Sequence, residues 1–219
     1  MSIQQNLQQI KNSLPAHVTL VAVSKTKPVA DLQTAYQAGQ RIFGENKIQE
    51  MTEKWELLPK DISWHMIGHV QSNKVKYMAP YVDLIHGVDS VKLLEEINKQ
   101  AAKNNRVINC LLQVFIAEEE TKFGFSSLEI NDLFASTAFA NLQNIKIVGL
   151  MGMATNTSDT NQITKEFSNL ASLFNQFKTL ALPNVSMETL SMGMSGDYPL
   201  AIAAGSTMVR IGSSIFGTR

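Results

Sequence analysis

Eight times along this chain a short apolar run gives way to a stretch with helical spacing, and that alternation constrains the fold more than any other feature. Parallel strands need long crossovers, usually helices, so a strand-helix repeat of this kind builds a parallel sheet covered by helices. The runs read as strands over Val18–Ser24, Arg41–Gly44, Ile62–Gly68, Val82–His86, Val107–Phe115, Ile145–Met151, Val185–Ser191 and Thr207–Ile211. Between them the helical stretches carry their own signals. An opening helix covers roughly residues 2–13, and a second runs from Val29 to Ala38 and closes on Gly39. Ile48, Met51, Trp55 and Leu58 form one helical stripe, and a short helix through Val75 and Met78 stops at Pro80. Ser90 is placed to cap a helix that carries Val91, Leu94, Ile97 and Ala101 inward, and another helix lies near Leu128–Ala140. Asp159 is placed to cap the longest helix, striped by Ile163, Phe167, Leu170, Phe174 and Phe177, and Tyr198–Ala204 is alanine-rich.

Dividing 219 residues by eight leaves roughly 27 per unit, tight but workable for a minimal (β/α)8 TIM barrel. An open doubly wound sheet shows the same alternation, and periodicity alone does not exclude it. Even spacing over the whole length, with the first and last strands both of buried character, favours closure. With no linker or low-complexity tract, the expectation is one α/β domain over residues 1–219, with no sequence left for a second.

Charge and cysteine usage narrow the setting. Lys+Arg and Asp+Glu both number 19, so no basic footprint for nucleic acid is present. The single cysteine, Cys110, lies in an apolar run, which fits a core thiol in a reducing compartment. The N-terminus has no basic segment followed by a long apolar one, and no run reaches the ~18 apolar residues of a membrane span. A soluble, cytoplasmic monomer is expected.

In a barrel the chemistry sits where strands end and βα loops begin. Val18–Ser24 is apolar enough to be covered on both faces, yet a lysine, Lys25, stands at its end. An amine at such a rim is desolvated, which suits Schiff-base formation; the plainer reading is a lysine that snorkels outward. Gly-Ser-rich loops follow the last two strands, Ser191-Met-Gly-Met-Ser195 and Gly212-Ser-Ser214, at the usual phosphate position of such barrels. Each could equally be an ordinary turn. Taken together, a strand-end amine and a phosphate seat point to an aldehyde-bearing phosphate such as pyridoxal phosphate.

A set of ordered motifs then carries a resemblance. Val23-Ser-Lys-Thr-Lys-Pro28, Phe43-Gly-Glu-Asn46, Trp64-His-Met-Ile-Gly68, Gln71-Ser-Asn-Lys74, Gly149-Leu-Met151, Leu190-Ser-Met-Gly-Met-Ser195 and Ala204-Gly-Ser-Thr-Met-Val-Arg-Ile-Gly212 resemble the pyridoxal phosphate homeostasis proteins. This YggS/PROSC family is similar to the barrel domain of alanine racemase. The resemblance implies that Lys25 forms the Schiff base with the cofactor, with Lys27 its rival; alternation puts Lys25 on the side of Val21 and Val23. It implies that Arg210 faces the pyridine nitrogen, and that Ser191, Gly212 and Ser213 hold the phosphate. Asn46 and His65 become ring-side contacts, Met151 is carried over from its motif, and His69 stands in the loop beyond. Lys122 precedes Phe123-Gly-Phe125 as a cation does in alanine racemase, although Glu118-Glu-Glu120 beside it offers a solvated ion pair instead. Glu45 and Asp197 are expected to orient loops.

The expected function is therefore a carrier that holds pyridoxal 5'-phosphate as a reversible Schiff base for intracellular homeostasis, and passes it to pyridoxal-phosphate-dependent apo-enzymes, without turnover of its own. No metal and no catalytic residue are assigned. Two alternatives stay open: an amino-acid racemase whose second base comes from a partner chain, and a cofactor-free Schiff-base aldolase.

Overall fold

The computed structural model describes residues 2–117 and 123–217. Helix α1 (Ile3–Ser13) precedes a regular series: β1 (Thr19–Val23), α2 (Val29–Gln37), β2 (Ile42–Glu45), α3 (Ile48–Leu57) and β3 (Ser63–Met66). After a 3-10 turn come α4 (Val75–Met78), β4 (Leu84–Val88), α5 (Val91–Lys103), β5 (Ile108–Gln113), α6 (Ser127–Ala135) and α7 (Thr137–Ala140). The series ends with β6 (Ile145–Met151), α8 (Thr160–Phe177), β7 (Val185–Ser191), α9 (Tyr198–Ala203), β8 (Met208–Ile211) and α10 (Ser213–Phe216). The eight strands pair in sequence order, and β8 returns to β1 in parallel with Val21 opposite Arg210, closing the barrel. Closure leaves the sheet without an edge, which rules out the open doubly wound alternative.

Strand alternation sorts side chains into two shells. Leu20, Ala22, Phe43, Trp64 and Val209 point outward into the large core beneath the helices. Val21, Leu84, Leu111, Met151 and Met208 form a small separate cluster that plugs the barrel interior. The α8 stripe Ile163, Phe167, Leu170, Phe174 and Phe177 is buried as its spacing predicts, and the Asp159 carboxylate accepts N–H bonds from Asn161 and Gln162. Burying each of these large side chains contributes roughly 1.5–3 kcal/mol.

Local expectations differ from the structure in four places. Val91, expected to point inward, is 40% exposed, because the inward face of α5 runs through Leu93, Leu94, Ile97 and Ala101. Ser90 precedes that helix without a side-chain capping bond. The helix near Leu128–Ala140 is two helices, broken where the Ser136 hydroxyl accepts the Phe139 N–H and starts a new one. On α3 the buried positions are Ile48, Met51 and Lys54. Trp55 is displaced to the flank, where it stacks on Tyr81 with centroids 4.4 Å apart.

Candidate functional site

The strand-end face opens into a cleft of about 500 Å³, and Lys25, Asn46, Arg210, Gly212 and Ser213 all line it. Five residues expected at a cofactor site thus meet in one place. Parity explains the first of them. Val21 packs inside the barrel and Val23 lines the cleft, so Lys25 projects from the same side of β1, while the intervening Ser24 is buried in the wall. Asn46 follows β2 and is half-buried. It is approached closely by the end of β3, because a Cβ on Gly68 would lie 2.5 Å from the Asn46 carbonyl oxygen.

Arg210 projects inward from β8, is almost fully buried, and forms part of the cleft floor. Its guanidinium donates to the Ser191 carbonyl at 2.9 Å, to Ser191 Oγ at 2.6 Å, and to the Gly152 carbonyl at 3.1 Å. Burial lowers its pKa to about 10, with Asp197 opposing, so it stays protonated at neutral pH. Behind it runs a chain of neutral groups. Ser191 Oγ lies 3.1 Å from His86 Nδ1, and His86 Nε2 lies 3.0 Å from His65 Nδ1. Burial holds His65 at about 3; burial, then the nearby charges of His65 and Arg210, hold His86 well below the ordinary imidazole value. A guanidinium only donates. One assignment that satisfies every member has Arg210 donating to Ser191, Ser191 to His86, and His86 to His65.

Three expected contacts sit elsewhere. Ser191 was expected to hold an anion, but its hydroxyl is fully buried between Arg210 and His86 and does not line the cleft. His65, expected beside a ring, is buried against His86 of the neighbouring strand β4 and does not line the cleft. Met151 belongs to the apolar interior plug. Lys122 lies outside the described residues.

The anion-seat end is built by other groups as well. Ser195 and Gly196 line the cleft beside Gly212 and Ser213, and the Gly212 N–H donates to Ser195 Oγ at 3.3 Å. Asp197 orients that loop by accepting the Met194 N–H at 2.6 Å. Gly212 packs closely on β1, since a Cβ there would lie 3.0 Å from the Val23 carbonyl oxygen. At the mouth, His69 stacks on Phe123 at 4.7 Å and lies 3.0 Å from an Asp89 carboxylate oxygen. Lys27 also reaches the cleft, and its Nζ donates to the Phe216 carbonyl at 3.1 Å. Sequence reasoning missed His86, whose signal was slight: a histidine closing an apolar strand run. Ser195 was visible within its motif but left without a role. No group of three or more His, Cys, Asp or Glu that could hold a metal occurs among the described residues.

A primary amine, a buried guanidinium, and a loop pair rich in N–H and hydroxyl groups, all on one cleft at the C-terminal strand ends, define a barrel built to take an anionic carbonyl compound. Comparison with known proteins agrees with that class. The family described as alanine racemase, N-terminal domain, matches residues 1–219. The pyridoxal phosphate homeostasis protein of Pasteurella multocida is 40% identical, over 100% of this chain and 98% of its own length. The Escherichia coli K12 protein of the same name is 38% identical, over 99% and 97%. The structure of PipY from Synechococcus elongatus, solved with pyridoxal phosphate bound, matches with a TM-score of 0.89 at 35% identity, covering 99% of this chain and 100% of PipY. Alanine racemase from E. faecalis shares the fold alone, with a TM-score of 0.73 at 17% identity, covering 99% of this chain and 58% of that one. The chain belongs to the pyridoxal phosphate homeostasis proteins, within the alanine racemase N-terminal domain family.

Proposed function

We propose that residues 1–219 act as one cofactor-binding domain that holds pyridoxal 5'-phosphate reversibly and releases it to apo-enzymes, as a cytoplasmic monomer. The observation that carries this reading is the convergence of Lys25, Arg210, Gly212 and Ser213 on one cleft. The donor set fits the cofactor's parts: an amine for the aldehyde, a charged donor for the pyridine nitrogen, and N–H and hydroxyl donors for the phosphate. When bound, pyridoxal phosphate supplies an aldehyde that condenses with an amine to give a C=N bond and one water, and the same water reverses the bond.

Each residue then has a task. Lys25 supplies the amine from the inward side of β1. Arg210, fixed by Ser191 and Gly152, holds a proton that its pKa of about 10 keeps in place at neutral pH, so it would donate a hydrogen bond to the ring nitrogen without giving the proton up. That weakens the ring as an electron sink and favours holding over turnover. Ser195, Ser213 and the first N–H groups of α10, which have no partner within the helix, face the anion. Asn46 borders the ring.

The absorbance spectrum of the protein with added cofactor, before and after borohydride, tests the reading. A yellow wild type that bleaches on reduction beside a colourless Lys25→Ala variant is the expected result. A wild type that stays colourless overturns it in favour of the cofactor-free aldolase. An enzyme reading draws on His69, an imidazole at the mouth beside Asp89. Chiral chromatography of L-amino acids incubated with the loaded protein separates the two, and a carrier shows no D-isomer above the free-cofactor rate.

A further inference from the structure

The turn that carries Lys25 has an unusual backbone. The Lys27 N–H bonds the Ser24 carbonyl at 3.0 Å, so Lys25 and Thr26 are the central residues of a tight turn. Thr26 has φ +65°, a left-handed conformation that glycine or asparagine usually fills and that a β-branched residue adopts under strain. Something must hold it there.

A buried ion cluster outside the barrel wall grips the turn on both sides of Lys25. Lys54, on the inward face of α3, donates to the Ser24 carbonyl at 2.8 Å, to Glu45 Oε1 at 2.8 Å and to Glu50 Oε1 at 2.7 Å. Glu45 Oε1 also accepts the Ser24 hydroxyl at 2.6 Å. Glu50 Oε1 accepts the Thr26 N–H at 2.6 Å. The residues before and after Lys25 are thus both tied to α3. Glu45 and Lys54 are nearly inaccessible, with side-chain exposures of 0% and 5%, whereas Glu50 is 21% exposed.

We infer that the Glu45–Lys54–Glu50 cluster is a clasp that fixes the strained turn and so aims the Lys25 amine into the cleft. Glu50 and Lys54 are positioning residues: they touch the turn from outside and not the cofactor. This rests on the proposed role of Lys25, and it adds a determinant of cofactor retention on a different helix. The strain at Thr26 is what the clasp has to overcome, so relieving that strain should make the clasp dispensable.

The test is a set of single and double variants. Glu50→Ala removes the acceptor for the Thr26 N–H at a partly exposed site; Glu50→Gln keeps an oxygen there. Pyridoxal phosphate titration followed by absorbance should show about tenfold weaker retention for Glu50→Ala, and retention within twofold of wild type for Glu50→Gln. In the Glu50→Ala/Thr26→Gly double variant, where glycine adopts the left-handed conformation without strain, most of the loss should return. Glu50→Ala retaining the cofactor as tightly as wild type overturns the clasp, and so does a double variant no better than the single one. Should wild type bind no cofactor, the proposed function fails on its own. Labelling of Lys25 by acetic anhydride, mapped by mass spectrometry, then decides the clasp without it. A threefold or greater rate change in Glu50→Ala, reversed in the double variant, supports the clasp; an unchanged rate overturns it.

Discussion

Two buried cations stand on opposite sides of the same wall, and they are treated differently. Outside the barrel, Lys54 sits between two carboxylates and a carbonyl, so its charge is fully answered by the protein. Inside, Arg210 is held by two carbonyls and the Ser191 hydroxyl, and no carboxylate among the described residues bonds it. The outer cation is used up in fixing structure. The inner one is oriented by dipoles, and its charge remains directed at whatever enters the cleft. The difference extends to the neighbouring titratable groups. The outer cluster contains a carboxylate, Glu45, whose pKa burial raises, against the pull of Lys54 and Ser24. Its second oxygen, Oε2, is buried and has no hydrogen-bond partner among the described residues. The inner cluster contains histidines whose pKa values burial lowers.

The largest effect expected from this contrast is on stability against pH. Each buried neutral histidine binds fewer protons folded than unfolded, so stability is lost as pH falls through the unfolded value near 6.5. That approaches about 1.4 kcal/mol per pH unit per histidine below this value, or about 4 kcal/mol for the pair between pH 7 and 5. Glu45 works the other way: its folded form binds more protons, so its contribution improves as pH falls below its raised value. Urea unfolding at several pH values should therefore show a steeper acid loss in Glu45→Gln than in wild type, and a shallower one in His86→Gln. Parallel curves for all three proteins would break the comparison. A somewhat smaller effect, about 3 kcal/mol at neutral pH, is expected for Lys54→Met, because it leaves the Glu45 charge buried and unanswered. The loss should shrink as pH falls, because burial raises the Glu45 pKa and protonation removes the unanswered charge, and most of it should return in Lys54→Met/Glu45→Gln; a thermal or urea melt reads both. Smallest is the control. The Lys99–Glu96 pair is mostly exposed on the lysine side, so Lys99→Ala should shift stability by less than about 0.5 kcal/mol.

The barrel was legible because its signals are local. Eight apolar runs, helix stripes such as Ile163 to Phe177, and the cap at Asp159 each need only neighbouring residues to be read. The facing of Lys25 was legible too, since alternation in β1 decides it. What escaped depends on contacts across the barrel or between elements. Ser191 looked like an anion ligand because its loop continues into Ser195 and Gly196. Its depth is set by pairing between β7 and β8, which places Arg210 over its hydroxyl. Little in the sequence singles out Lys54, which stands four residues after Glu50 at the spacing of an ordinary surface pair on a helix. Its spacing of three from Met51 was the available clue that it shares the buried face. The clue is weak in a sequence, because a lysine on an inward face makes sense only once Glu45 arrives from the neighbouring strand.

The seam where β8 meets β1 has one more consequence. The amine comes from the first strand of the barrel and the anion seat from the last, and the Lys27–Phe216 hydrogen bond spans 189 positions of chain to tie those regions together. No fragment of the barrel made earlier on the ribosome contains both halves. Under the proposed roles of Lys25, Gly212 and Ser213, capture of the ligand is therefore reserved for a molecule whose final strand has docked. By linkage, every bound ligand in turn resists reopening of that seam, adding RT ln(1 + [L]/Kd) to the work of unfolding. A cell low in the ligand would hold a population of these barrels that is easier to unzip and easier to degrade, so supply of the small molecule would set the lifetime of the protein that binds it.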